Sequence, residues 1–488
     1  MPGMPDYDLI VLGAGATGLA AARGARAAGH SVALVEQDRP GGDCTYYGCI
    51  PSKTLIETAR RVAALRDGGE RGYRGTVEVD FPAVVRHVQA TIALVERDES
   101  PQLLEREGID LVRGHAVFTG AHTVDVAGTA LTGRRIVLAT GARAAIPHIP
   151  GLAELRYLTN ETVFSLREQP EHLLVLGGGP IGCELAQAFR RLGSEVTVVQ
   201  GPPTLLPRDE PEAGRVLRAA LERDGVALRS GVRVTGAAEG PRLSLRDGSC
   251  VSGSHLLVAA GRQARTDDID LAVAGVELDR RGRVIVDGHL RTTAEHVFAA
   301  GDCTSPFQFT HVGFLQGRIA AGNAFAAPRR PGFAGGLRRW SDAGVPWVTF
   351  TDPEVARVGL TESQAYERYG DTARVAFVAD TTSDRARAAG ATDGFIKMIA
   401  APPLIVAGKP LLRAKPLLRL VGMTAVGPVA GELIAEGALA RQTGLLVGRI
   451  AQTMHAYPTW GLSTQYAAAQ FFGTYAGRTA RPARADAE

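Results

Sequence analysis

"DLIVLGAGATGLAAARGARAAGHSVALVEQD" (residues 8–38) runs strand, glycine loop, helix and second strand without a break. An apolar stretch, Leu9 to Leu12, leads into Gly13, Gly15 and Gly18. An alanine-rich helical stretch follows, then a strand from Ser31 to Val35 that ends at Glu36. Gly13 permits the tight turn, Gly15 lets the backbone approach a pyrophosphate, and Gly18 lets the helix pack on the sheet. The helix N-terminus offers free N–H groups and its positive dipole end to phosphates. Glu36, 23 residues after Gly13, is placed for ribose hydroxyls. A lone G-x-G-x-x-G is weak evidence, but here every companion element follows in order, so a dinucleotide-binding unit is expected.

The pattern recurs in "HLLVLGGGPIGCELAQAFRRLGSEVTVVQG" (residues 172–201), with Gly177, Gly179 and Gly182 at the same spacing. The counterpart of Glu36 is Gln200. A neutral amide removes the carboxylate that would repel a 2′-phosphate, so NADPH is favoured, with NADH as the other candidate. Two dinucleotide sites in one chain imply two nucleotides that meet, one fixed and one exchanging.

At 488 residues, the chain has room for about three domains of roughly 150 residues. It is 45% hydrophobic and 22% charged, an ordinary globular balance, and a net charge of +3 gives no nucleic-acid signal. No apolar run reaches the ~18 residues that would span a bilayer, and the N-terminus enters a strand pattern with no secretory signal. Five cysteines in so long a chain make no disulfide scaffold, so a reducing cytoplasm is expected.

Two of those cysteines stand in "GGDCTYYGCIPSK" (residues 41–53). A disulfide across so short a loop removes little chain entropy and makes a poor structural staple. Cys44 and Cys49 alone do not complete a tetrahedral metal site, and no metal site is expected. A redox pair fits better. "CIPSKTLIETARRVAAL" reads as a helix start with Pro51 in its first turn, where a thiol meets the positive helix end and becomes more acidic. Cys183, Cys250 and Cys303 read as packing or turn residues.

With this segment between the two glycine motifs, the chain resembles the flavoprotein pyridine nucleotide–disulfide oxidoreductases, which include glutathione reductase, dihydrolipoamide dehydrogenase and mercuric reductase. "IVLATGARAAIP" (136–147), "LLVAAGRQART" (256–266), "TTAEHVFAAGDC" (292–303) and "VPWVTFTDPEVARVGLTE" (345–362) resemble further family landmarks, in family order. The resemblance implies an α/β fold: two Rossmann-like domains, for FAD and NAD(P), and a C-terminal α+β dimerisation domain. The implied bounds are 1–155 and 283–335 for FAD, 156–282 for NAD(P) and 340–475 for dimerisation; the polar tail 476–488 is expected to be disordered. By the same resemblance Cys49 forms the charge-transfer thiolate against the flavin and Cys44 attacks the acceptor. Lys53 and Glu184 match a pair near flavin N5, and Asp302 matches the aspartate that binds the ribityl chain. Gly42, Ala116, Thr140, Gly141 and Gly261 join the glycines above, Glu36 and Gln200 as implied cofactor contacts. A homodimer is implied as well.

The departures from the pattern are informative. Family disulfide reductases place a histidine before Pro-Thr and a glutamate five positions later, and the partner subunit supplies the pair. In "HAYPTWGL" (455–462) these positions hold Tyr457 and Leu462. A phenol with pKa near ~10 donates a hydrogen bond but is a poor base at neutral pH. Mercuric reductases also carry tyrosine there, since a thiolate-bound metal needs no such proton shuttle; their C-terminal cysteine pair is missing from this tail. His455, two residues from Tyr457, is a candidate substitute if both face one way in an extended segment, or else interface packing. "APPLIVAGKPLLRAKPLLRLVG" (401–422) reads as an insertion. No Asp or Glu occurs from Gly394 to Gly431, while Lys397, Lys409, Arg413, Lys415 and Arg419 do. A solvated hairpin and a basic–apolar surface for a partner or membrane are the two readings.

Three functions follow: reduction of a small-molecule disulfide or metal–thiolate acceptor through Cys44–Cys49; quinone reductase, diaphorase or transhydrogenase activity directly from FAD, bypassing the cysteines; or a non-catalytic flavin-holding subunit of a larger assembly.

Overall fold

The computed structural model describes residues 4–66, 72–73, 75–326, 336–402, 405–406, 409–410 and 417–485. The first glycine motif lies in a seven-stranded sheet. Its parallel core runs Asp110–Arg113, Val32–Glu36, Tyr7–Leu12, Thr129–Leu138 and Val297–Ala299. At its centre residues 9–12, 32–35, 136–138 and 297–299 are continuous buried apolar runs, because both faces are covered there. The helix Ala16–Ala27 buries Gly18, Leu19, Ala20, Ala21, Ala22 and Ala25. It packs on the helix Thr310–Ala324, where a Cβ at Gly317 would collide with the Thr17 carbonyl. The alanine richness of residues 16–28 thus permits a close helix–helix approach.

The second motif sits in a parallel four-stranded sheet ordered Ala227–Ser230, Glu195–Gln200, His172–Leu176, His255–Val258. The chain crosses between the two units twice, and the crossings pair antiparallel, Ala142–Ala144 with Arg262–Ala264.

The C-terminal part is a six-stranded sheet ordered Pro346–Thr349, Glu354–Gly359, Arg419–Gly427, Phe395–Ala401, Arg374–Ala379, Arg481–Pro482, with the helix Ala430–Thr443 packed on it. Two expectations are corrected here. The tail through residue 485 is ordered: Arg481–Pro482 pairs with Arg374–Ala379, Ala483 is buried, and Arg481 holds Glu362 with two nitrogens. Lys397, counted as part of a basic surface, is 1% exposed and lies 3.0, 2.8 and 2.9 Å from the carboxylates of Glu210, Glu212 and Glu362. Buried carboxylates need cations, so they draw in both basic groups. Within 401–422, the backbone pairs Ile405–Val406 with Lys409–Pro410. Residues 403–404, 407–408 and 411–416, with Arg413 and Lys415, lie outside the described residues. Among the described residues, no helix is long and apolar enough to cross a membrane.

Candidate active site

The glycine loops are shaped by their own backbone. Gly13 has φ +100° and Gly177 φ +123°, conformations that favour glycine. Gly18 and Gly182 pack against the carbonyls of Gly13 and Gly177, where a Cβ has no space. A Cβ on Gly42 would stand 2.8 Å from Gly15 Cα, so these two glycines form a bare backbone cradle. Glu36 accepts the Ala14 N–H at 2.7 Å and the Asp38 N–H at 2.8 Å, which fixes the acid at the lip of the loop. Gln200 occupies the same place in the second unit, donating through its amide to Ser230 Oγ at 3.2 Å.

A continuous cavity of about 2430 Å³ joins the two loops. Ordinary ligand pockets measure about 300–1,000 Å³, so this one has room for two extended nucleotides. Gly13, Gly15, Glu36 and Gly42 line it from the first unit, with Ala116, Thr140, Gly141 and Asp302. Gly177, Gly179, Gln200 and Gly261 line it from the second. Cys44, Cys49, Lys53 and Glu184 line the same cavity. Gly18 and Gly182 are not in its wall; they join helix to strand.

Cys49 opens the helix Cys49–Arg66, and Cys44 lies in the short helix Gly42–Tyr46. Both are free thiols. The hydrogen bond from Cys44 lowers Cys49 to about 6, against its burial, and Thr310 and Lys53 add to the effect. Cys44 is raised, first by donating that bond and then by burial. Thr310 Oγ1 lies 3.3 Å from Cys49 Sγ. Lys53 Nζ pairs with Glu184 at 2.8 Å and sits 4.5 Å from the centre of the Phe350 ring. The other Glu184 oxygen accepts the Phe350 N–H at 2.8 Å, which brings the C-terminal sheet to the site. Cys183 and Cys303 are fully buried and Cys250 lies exposed on a strand edge.

Thr310, Phe350, Asp43, Asn160 and Arg262 escaped the sequence reading. Asp43 directly precedes Cys44 and Arg262 directly follows Gly261, so adjacency to known motifs was the available signal. Arg262 Nη2 lies 3.1 Å from Asp43 and 3.5 Å from Asp302. Burial raises Asp302 to about 6, against the pull of Arg262. Tyr457 and His455 do not line the cavity of this chain. Tyr457 is 69% exposed, with its hydroxyl donating to Asp384 at 3.1 Å. His455 has both ring nitrogens engaged, by the Thr453 carbonyl at 2.9 Å and Glu436 at 3.2 Å. The two side chains therefore have separate partners rather than a common one. Among the described residues, no group of three or more metal-ligating side chains occurs.

Residues 7–317 match the pyridine nucleotide-disulphide oxidoreductase family, and residues 345–406 and 411–468 match its dimerisation domain. The chain is 33% identical over 474 residues to a mercuric reductase of Lysinibacillus sphaericus, covering 96% of this chain and 83% of that one. It is 34% identical over 476 residues to a dihydrolipoyl dehydrogenase of Thermus scotoductus, covering 93% and 95%. A Cu(II) complex of the HOCl-induced flavoprotein disulfide reductase RclA from Escherichia coli superposes with a TM-score of 0.81 at 27% identity, covering 96% and 99%. The bare Gly15–Gly42 cradle, the backbone-held Glu36 and the double-length cavity fit FAD and NAD(P)H. By fold, site and relatives together, the chain belongs to the pyridine nucleotide-disulphide oxidoreductases, FAD-containing enzymes driven by NAD(P)H, and its dimerisation domain supports a homodimer.

Proposed function

We propose that this enzyme reduces a metal ion held by thiolates, with a small-molecule disulfide as the second acceptor class. The observation that carries this is the pairing of an acidified Cys49 with Tyr457 and Leu462 at the acid–base positions. A disulfide acceptor leaves as a thiolate that needs a proton, and general acid–base help is worth about 10²–10⁴ in rate. Tyr457 serves that step poorly, because the Asp384 carboxylate beside it raises its pKa further. A metal held by two thiolates needs no such proton: NAD(P)H + Hg(SR)₂ gives NAD(P)⁺, Hg⁰, RSH and RS⁻. The name of the mercuric reductase relative supports a metal acceptor, and the Cu(II) complex shows that a structural neighbour binds a metal ion.

FAD, when bound, would supply two-electron redox chemistry between the nicotinamide and the cysteine pair. The chain's own residues prepare that transfer. Glu36 holds the first nucleotide's ribose, Asp302 its ribityl side, and Lys53, fixed by Glu184, places a positive charge at the junction. Cys49 holds the thiolate, and Cys44, the more covered of the two residues in this structure, attacks the acceptor. Gln200 favours NADPH. The domain division that accompanies this function is 1–155 with 283–335 for FAD, 156–282 for NAD(P) and 340–475 for dimerisation, to which the ordered residues 476–485 are added.

The test is anaerobic two-electron reduction by NADPH, and separately by NADH, followed in the visible spectrum. A long-wavelength thiolate band is expected at neutral pH, fading as pH falls through about 6, because a lowered pKa keeps the thiolate only above that value. Turnover should follow Hg(II)–thiol complexes far better than glutathione disulfide or lipoamide, and Cys49→Ser should abolish it. The missing acid–base pair also favours a second reading, direct transfer to a quinone; retained quinone reduction in Cys49→Ser, with no thiolate band in the wild type, would establish that one instead.

A further inference from the structure

The residue before Cys44 belongs to no step described so far. Asp43 lies in the first turn of the helix Gly42–Tyr46. Its Oδ1 accepts from Asn160 Nδ2 at 2.9 Å, and its Oδ2 lies 3.1 Å from Arg262 Nη2. These partners come from opposite directions along the chain. Asn160 stands on the segment that leaves the first dinucleotide unit, between Ala142–Ala144 and the strand His172–Leu176. Arg262 opens the strand Arg262–Ala264 on which the chain returns. The crossings are also tied to each other, by strand pairing and by Arg265–Glu161 at 2.7 Å.

Arg262 is mostly buried, and its Nε has no hydrogen-bond partner. Its Nη2 carries the contacts, to Asp43, Asp302 and the Ala142 carbonyl at 3.2 Å. Charge pairs withdrawn from water in this way are strong and directional. A neutral residue at 43 would leave the mostly buried guanidinium with Asp302 as its remaining ion-pair partner and Glu161 farther off.

We propose that Asp43 is a positioning residue that fastens the cysteine loop to both chain crossings of the NAD(P) unit, through Asn160 on the way out and Arg262 on the way back. Cys44 and Cys49 are thereby kept in register with the cleft floor while that unit binds and releases its nucleotide. The inference rests on the cysteine pair lying in the electron path. The charged and titratable groups facing the pair are Asp43 beside it, Lys53 on the helix Cys49–Arg66, Glu99 on the segment before Pro101–Arg106, and Arg262 behind Asp43.

The experiment uses FAD-loaded enzyme carrying Asp43→Asn or Asn160→Ala. Asparagine keeps the size and a hydrogen-bonding oxygen and loses only the charge. Two readouts are taken on the anaerobically reduced protein: the midpoint pH of the thiolate band, and the rate of Cys44 alkylation by iodoacetamide, mapped by mass spectrometry. Asp43 disfavours the Cys49 thiolate by its charge, so Asp43→Asn should move the midpoint down by about one pH unit, a tenfold change in proton affinity. Loosening of the loop should raise Cys44 alkylation by about tenfold on the same scale. Asn160→Ala removes no charge; it should leave the midpoint in place and still raise Cys44 alkylation. A silent Asn160→Ala overturns the fastening, including when Asp43→Asn does not fold or hold FAD. A wild-type enzyme without any thiolate band overturns the electron path itself, whereas a wild-type band with unmoved variants overturns only the role of Asp43.

Discussion

The two glycine-rich units share strand, loop and helix, yet they are joined to the rest of the molecule by different forces. The first lays the helix Ala16–Ala27 on the helix Thr310–Ala324 through small residues, with backbone nearly touching backbone. The second meets the C-terminal sheet through buried ions. Arg191 holds Asp224 of its own unit and Asp352 of the C-terminal part, each at 2.8 Å, and Lys397 of the sheet gathers Glu210 and Glu212 of the unit together with Glu362. The nucleotide lips differ in the same sense: Glu36 is held by backbone N–H groups, Gln200 by a serine hydroxyl. The loop motif thus specifies what backbone approaches a phosphate. How firmly the unit is tethered, and which nucleotide it prefers, depends on residues outside the motif.

The severest way to break this comparison is to deny both units their helix–strand contact. Gly18→Val and Gly182→Val each drive a side chain into a carbonyl of the same unit, and a loss of more than about 4 kcal/mol is expected from such overpacking. Soluble yield and circular dichroism should show both variants failing; tolerance at one position would mean the units are not equivalent. Lys397→Met separates the tethers. Removing one partner from a buried ion cluster costs about 3–5 kcal/mol, and denaturant unfolding should register it. Because the Lys397 cluster joins the second unit to the C-terminal sheet and takes no residue from the first unit, FAD should remain bound while KM for NAD(P)H rises. Adding Glu210→Gln should recover part of the stability.

Smaller effects sharpen the difference at the nucleotide lips. Glu36→Gln exchanges charge-assisted bonds for neutral ones, about 1.5–3 kcal/mol, so FAD affinity should fall about 10- to 100-fold, read from released flavin fluorescence. Gln200→Glu places a carboxylate beside any 2′-phosphate. The ratio of kcat/KM for NADPH over NADH should then fall about tenfold, or ~1.4 kcal/mol.

Residues 8–38 were legible because every constraint on them is local: apolar runs set the strands, glycines the turn, and Glu36 the end. The cysteine pair was legible for the same reason, since five residues and one helix start bring both thiols together. Lys397 was not. Its neighbours along the chain carry no acid, and its carboxylate partners at Glu210 and Glu212 lie 187 and 185 residues away. The tail misled in the same way, because a polar, proline-containing segment looks unfolded until the buried Glu362 it covers is known. Asp43 looked like a turn residue beside a cysteine until Asn160 and Arg262 closed on it.

By itself, the sequence determined two nucleotide loops and a thiol pair with one acidified member, because each follows from periodicity, spacing and backbone freedom within a few dozen residues. The tertiary structure alone decided which charges are buried, which arginine joins the cysteine loop to the domain crossings, and that the C-terminal residues belong to the sheet. Those outcomes depend on desolvation, and a side chain's access to water is set by segments that the chain brings back from far away.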